Sequence, residues 1–419
     1  MKNLYQKDGT KKLLSSLIAI MVGLFVGSLI VFIVGLFSKE ISTKSTWDGV
    51  RLIFGGLFSK GRDTTSGNIK WGFNGTNFGN MLFRATPLIM TGLSVALAQK
   101  SGLFNIGAPG QYLMGTMASL MLALSIPSDV VPPALIWIIA FLGGCIAGAI
   151  WGAIPGLLKA TLNINEVLAC IMTNWIAANL VTWLFDISKF SKVTAAFGGD
   201  GSFKNLVENT KSGYVYATYY NDVVTPKMGL DKLFKGSQVN GGIVIAIIIA
   251  IGIYILINKT TFGFKLKACG ANRHAARYAG IPDRANIVYS MAIAGALAAG
   301  GAALYWLSGN TEFQWISAYQ TLPATGFNGI PVALLAVNNP IGVIFAGCFM
   351  SMLDIIGNEL TTLTPYNEFI TDVIISIIVY LSAFSLLICT LLSGKRRNKP
   401  VETVVVAADK KEEKGGEQA

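Results

Sequence analysis

The chain has 419 residues, 53% of them hydrophobic and only 13% charged, with a mean hydropathy of +0.56. That balance excludes an ordinary soluble domain of this size and makes a bilayer the solvent, because stretches of the ~20 apolar residues that a spanning helix needs recur along nearly its whole length. The net charge of +11 lies in loops and tails beside apolar runs, where it sets topology and meets headgroups rather than nucleic acid. Five cysteines without C-x-x-C spacing read as small packing residues, and a single histidine, His274, leaves metal clusters and Ser-His catalysis without their usual parts.

In chain order, residues 1–12 form a basic N-terminal segment and residues 13–37 an uncharged run. Its length, and the absence of an A-x-A-like cleavage site after Phe37, predict a first membrane helix rather than a signal peptide. A polar loop over 38–77 follows, then helices over 78–98, 103–126, 132–158 and 163–185. Residues 186–240 are polar and lie outside the bilayer. Further helices are expected over 241–257 and 285–307, separated by the basic segment 259–284. The uncharged run 313–353 is interrupted at Asn338, Asn339 and Pro340 and so divides into two helices. A tenth covers 373–392, and the low-complexity tail 395–419 is expected to be disordered. The expectation is an all-α polytopic membrane protein whose permease domain runs from 13 to 394. Ten crossings put both termini on one side. Lys100, Lys159, the 259–284 segment and the Lys395, Arg396, Arg397, Lys399 cluster fall together there, so that side is cytoplasmic and the 38–77 and 186–240 loops are extracellular.

Three constellations carry function. Residues 101–111 place three glycines and a proline among apolar residues. Such a run either breaks a helix at membrane depth, where only protein or a water-filled cavity can receive the freed backbone groups, or makes a tight surface turn. In 265–282, Asn272 can cap a short helix, Gly280 can end it and Pro282 stops its continuation, leaving Arg273 and Arg277 one turn apart. A helix of this kind docks into a partner's groove or lies on anionic lipid. Residues 163–175 put Glu166, Thr173, Asn174 and Trp175 in or near one helix; Glu166 either faces a cavity or caps a helix that Asn163 begins. Asp354 and Glu359 read as interfacial.

The segments GLFNIGAPGQ at 102–111, GANRHAARYAGI at 270–281 and GFNGIPVALL at 326–335 resemble, in order, three blocks of the ABC importer permeases for ribose, branched-chain amino acids and nucleosides. They are most similar to the nucleoside branch. The resemblance covers about residues 78–394. Pro109 stands where an acidic residue is expected, and Asn328 where many members of that family carry Asp. The resemblance implies a type II importer fold of ten helices in two related halves, echoed by the Phe-Asn-Ile-Gly and Phe-Asn-Gly-Ile pieces. It implies that Gly270, Ala271, Asn272, Arg273, His274, Ala275, Ala276, Arg277 and Tyr278 form a coupling helix seated on a cytoplasmic ATP-hydrolysing subunit. A solute-binding lipoprotein outside and a second permease subunit, a paralogue or another copy, complete the implied assembly in a bacterial cell membrane.

Phe104, Asn105, Gly107, Gln111, Glu166, Asn174, Trp175, Phe327 and Asn328 are the candidate path residues, by the stacking and hydrogen bonding that aromatics and amides offer a polar ring compound. No G-x-x-x-x-G-K-[ST] loop occurs, so neither a nucleotide cofactor nor ATPase activity is expected on this chain. A sugar or branched-chain amino acid permease is one alternative. A proton- or Na⁺-driven transporter using Glu166 or Asp354 is another, as is a channel or membrane scaffold.

Overall fold

The computed structural model describes residues 8–128, 130–188, 191–194, 203–206, 223–311, 313–316, 322–367 and scattered positions from 369 to 384. Most of the expected helix at 373–392, the 395–419 tail and much of 186–240 lie outside the described residues. Apolar runs with polar ends dictate long helices: α1 (Asp8–Phe37), α3 (Gly75–Lys100), α4 (Ala108–Ser125), α5 (Pro133–Leu162) and α6 (Glu166–Ile187). Between α1 and α3, the predicted loop holds a helix, α2 (Thr43–Gly55), and a hairpin of β1 (Ser59–Arg62) with β2 (Ile69–Trp71). After α6 come β3 (Ser191–Thr194), β4 (Phe203–Leu206) and the single turn α7 (Leu230–Leu233). Next are α8 (Gly242–Lys259), α9 (Thr261–Ala271), α10 (Arg273–Tyr278), α11 (Asp283–Trp306), β5 (Gln314–Ile316), α12 (Ala324–Leu335) and α13 (Pro340–Leu363).

Seven of these helices are long and apolar enough to cross a membrane: α1, α3, α5, α6, α8, α11 and α13. Ten crossings are therefore not reproduced by the described residues. The uncharged run 313–353 does divide at Asn338 and Asn339, but its first part, α12, has 12 residues. At 1.5 Å per residue it reaches ~18 Å, short of a ~30 Å hydrocarbon core.

The core is built around α3. Every residue from Ala85 to Ala98 is buried, enclosed by α8, α11, α12 and α13. A second seam joins α5 to α11, where small residues let two backbones meet: a Cβ on Gly148 would lie 2.5 Å from the Gly295 carbonyl oxygen. Hydrocarbon tails are as apolar as leucine, so such close backbone contact is what holds helices together in lipid. At one end of the bundle α2 leans on α1 and α13. Arg62 fastens that end by donating to the Gly67 carbonyl at 2.6 Å, to Asp48 at 3.2 Å and to the Leu363 carbonyl. At the same end β5, from the α11–α12 connection, pairs antiparallel with β4 and completes a three-stranded sheet, β3-β4-β5.

Candidate functional site

Local signals set the short helix α10. Asn272 is its N-cap, accepting from the Ala275 N–H at 3.0 Å, and Gly280 ends it at φ +76°. Six residues cannot hold a helix in water unaided. The stabilising partner is Asp283, the first residue of α11: its carboxylate accepts from Arg273 Nε at 2.6 Å and lies 3.7 Å from Arg277 Nε. Only Ala276 is buried, and Tyr278 is 94% exposed. His274, Ala275, Arg277 and Tyr278 form a projecting surface one turn long.

This projection is joined to the bundle by backbone contact. A Cβ on Gly270 would lie 2.5 Å from the Lys100 carbonyl oxygen and 2.8 Å from the Gly102 nitrogen, and one on Gly102 would meet the Gly270 Cα at 3.0 Å. Only two glycines allow the end of α3 and the end of α9 to touch in this way. Beside the contact lies a cavity of about 290 Å³ lined by Ser101, Leu103, Lys159, Glu166, Arg273 and Ile287, among others. Lys100, Lys159 and the 259–284 segment, placed on one side by their charge, thus converge on one end of the fold.

Residues 101–107 are the non-helical connection between α3 and α4, for which the sequence left open a break at depth or a tight surface turn. The chain turns at Gly102 (φ +75°) and climbs back along α3, because Asn105 donates to Ser94 Oγ at 2.9 Å. Ser94 lies six residues, ~9 Å, inside the end of α3. Backbone freed at that depth must find protein partners, and three amides provide them. Asn105 and Gln111 exchange hydrogen bonds at 2.8 and 3.0 Å, and Asn105 Oδ1 also accepts from the Gly107 N–H. Asn174 on α6 accepts from the Gly110 N–H and donates to the Ile106 carbonyl, both at 2.9 Å. Asn105, Gln111 and Asn174 are 0%, 1% and 2% exposed. Asn105 and Gln111 thus bond to each other, and Asn174 bonds to the backbone on either side of the α4 start.

The other candidates fall elsewhere. Glu166 pairs with Lys159 at 3.0 Å across the α5–α6 turn. Asn163 does not begin α6 as expected: it closes α5 in the left-handed conformation (φ 53°), and Asn165 is the cap, accepting from the Val167 N–H at 2.9 Å. Trp175 is exposed in a stripe with Leu168, Ile171, Met172 and Trp183, on a different face of α6 from the buried Asn174. Phe104 and Asn328 are half-buried and Phe327 is 36% exposed. Gly326 abuts Pro109, a Cβ on it falling 2.5 Å from the Pro109 Cα, so the first and third motifs meet.

One cluster escaped the sequence. With its carboxamide turned so that the oxygen faces α3, Asn358 on α13 accepts from Arg84 Nη1 and Nη2 at 3.0 and 3.1 Å, and Asp354, one turn away on α13, is in electrostatic reach of the guanidinium. Asn77 on α3 donates to Glu359 at 3.1 Å. The i, i+4 spacing of Asp354 and Asn358 is a signal visible in the sequence.

These features define a class: a multi-pass membrane protein whose bundle contains a backbone break at depth and touches a short projecting helix. Residues 77–383 match the family described as branched-chain amino acid transport system / permease component, and the chain belongs to that family. It is 31% identical over 390 residues to the guanosine ABC transporter permease protein NupP of Bacillus subtilis (strain 168), covering 92% of this chain and 97% of that one. It is 33% identical over 344 residues to the nucleoside ABC transporter permease protein NupB of Lactococcus lactis subsp. cremoris (strain MG1363), covering 82% and 83%. The glucose ABC transporter permease protein TsgB13 of Haloferax volcanii is 29% identical over 305 residues, covering 71% and 74%. No solved structure matches the chain.

Proposed function

We propose that this chain is the permease subunit of an ATP-driven nucleoside importer, working by alternating access with ATP hydrolysed on partner subunits. The observation that carries the reading is the α10 projection, exposed at four of its six residues, held by Asp283 and joined through Gly270 at the end of α9 to the chain at Gly102. A secondary transporter has no use for such a helix. Pushed by an ATPase subunit, α10 moves α9, and the Gly270–Gly102 contact passes the displacement to the break. The end bearing Lys100, Lys159 and α10 is then cytoplasmic, and the sheet and hairpin at the other end face a solute-binding protein. A second permease subunit completes the path, and this chain binds no nucleotide cofactor. Nucleosides as solutes rest on the relatives named for guanosine and nucleoside transport; the glucose permease shows that family membership alone does not fix the solute.

The test is ATP-dependent uptake of labelled purine and pyrimidine nucleosides in cells lacking this chain, complemented by wild type or by Arg277→Glu. Uptake restored by wild type alone is the expected result. Unchanged uptake in the deletion strain would sink the nucleoside assignment.

A further inference from the structure

Arg84 lies nine residues inside the first residue of α3, and Asp354 nine residues inside the last residue of α13. Both are therefore ~13 Å from the helix ends opposite the α10 projection. Charged groups at such depth do not face lipid; they face a partner or a water-filled space. The described residues offer these two little satisfaction. The guanidinium gives both Nη groups to the Asn358 oxygen once that carboxamide is turned toward it, and the Asp354 carboxylate, with Asp372 also in electrostatic reach, accepts no hydrogen bond among the described residues. Nor is the cluster sealed, since Arg84 and Asp354 are half-buried and Asn358 is exposed. Asp354, Asn358 and Thr361 fall within one narrow face of α13 by their i, i+4, i+7 spacing, and Arg84 meets that face from α3.

We infer that Arg84, Asp354 and Asn358 form a solute-recognition site in the outer half of the path, complementary to the polar edge of a 6-oxopurine. The site rests on the proposed nucleoside import. Its chemistry is a carboxylate that only accepts, beside a guanidinium that only donates, with an amide that does either. The ligand edge that satisfies all three carries adjacent N–H donors and a carbonyl acceptor, as guanine does with N1–H, the 2-amino group and O6. Adenine offers a ring-nitrogen acceptor where the carboxylate needs a donor. Such a mismatch leaves a polar group of the site unpaired, and sites built on hydrogen bonds reject ligands on that ground. Asp354 and Glu359 look interfacial one at a time; with Arg84 and Asn358 alongside, Asp354 becomes part of a donor and acceptor set.

The test measures uptake of labelled guanosine and adenosine by the complete transporter carrying wild type or Asp354→Asn, with membrane abundance followed by immunoblot. The expected result is a guanosine KM raised about tenfold with Vmax nearly kept, and an adenosine KM within about twofold of wild type, as loss of a paired readout contact predicts. An unchanged guanosine-to-adenosine ratio, whether uptake is retained or lost in proportion, overturns the site while leaving nucleoside import standing. Absence of any nucleoside uptake by wild type overturns the import reading itself. Asn358→Cys supplies a second measurement that does not depend on how Asp354→Asn folds. A membrane-impermeant methanethiosulfonate added from outside should block its uptake, with guanosine but not adenosine protecting; no protection overturns the site.

Discussion

Gly270→Ala tests the contact between the projecting helix and the bundle. The added methyl would lie 2.5 Å from the Lys100 carbonyl oxygen, 2.8 Å from the Gly102 nitrogen and 2.9 Å from the Ser101 carbonyl carbon. Favourable separations between heavy atoms are about 3.5–4.0 Å, so the two chains must part by ~1 Å. All three clashing atoms belong to the backbone, and no side chain can turn aside to absorb the strain. Overpacking of this kind costs about 1–3 kcal/mol. Placed on the transition between access states, that slows turnover roughly 5- to 150-fold. Proteoliposomes holding the full complex, with solute uptake and ATP hydrolysis measured in parallel, provide the assay. In the proposed mechanism the ATPase still docks on α10 while its motion reaches the break poorly, so uptake should fall more than hydrolysis. Wild-type solute moved per ATP in both Gly270→Ala and Gly270→Val would refute the mechanical role of the contact.

Two further perturbations probe the same machinery. Asp283→Asn removes the charge-assisted bond to Arg273, worth ~1.5–3 kcal/mol, and should let α10 fray. Cys269 reports on this: burial pushes its thiol pKa up, so at neutral pH it stays protonated and reacts slowly. Loosening α10 lowers that pKa toward its ordinary value, raises the thiolate fraction and speeds maleimide alkylation; an unchanged rate would show that α10 stands without its ion pair. In the amide knot, Asn105→Ala, Gln111→Ala and the double variant form a cycle with a coupling of roughly 1 kcal/mol, read by thermal unfolding of the purified protein. Additive losses would mean that the reciprocal pair adds nothing.

The spanning helices and α10 were legible because their causes are local. Twenty apolar residues compel a helix in lipid whatever surrounds them, and Asn272, Gly280 and Pro282 punctuate α10 within one stretch of chain. At 101–107 the glycines made an interruption legible, but not whether it was a break at depth or a surface turn. Its amides were visible only as residue types: whether Asn105 faces a path or Gln111 depends on where the chain goes after Gly102, a matter of tertiary placement. Asn163 misled because an asparagine begins a helix by its side chain and ends one by tolerating positive φ, and only the backbone distinguishes the two. The hairpin in 38–77 and the Arg84–Asp354 grouping depend on partners far along the chain. Arg62 reaches the Leu363 carbonyl, and no window of sequence holds both.

The sheet β3-β4-β5 bears on the order of events at the translocon. Phe203 pairs with Ile316 and Asn205 with Gln314, so β4 is synthesised roughly a hundred residues before the strand that completes its far side. At about 5–20 residues per second, β4 stands with one edge unpaired for roughly 5 to 20 s while α8 and α11 are threaded into the bilayer. That edge can accept a foreign strand until β5 arrives. The lysines in this ribbon, Lys192 in β3 and Lys204 in β4, are the charges with which edge strands discourage such pairing. Closing the sheet then ties α6 to α11 at the end away from α10, so its formation marks the moment when the early and late helices of the nascent chain are held as one bundle.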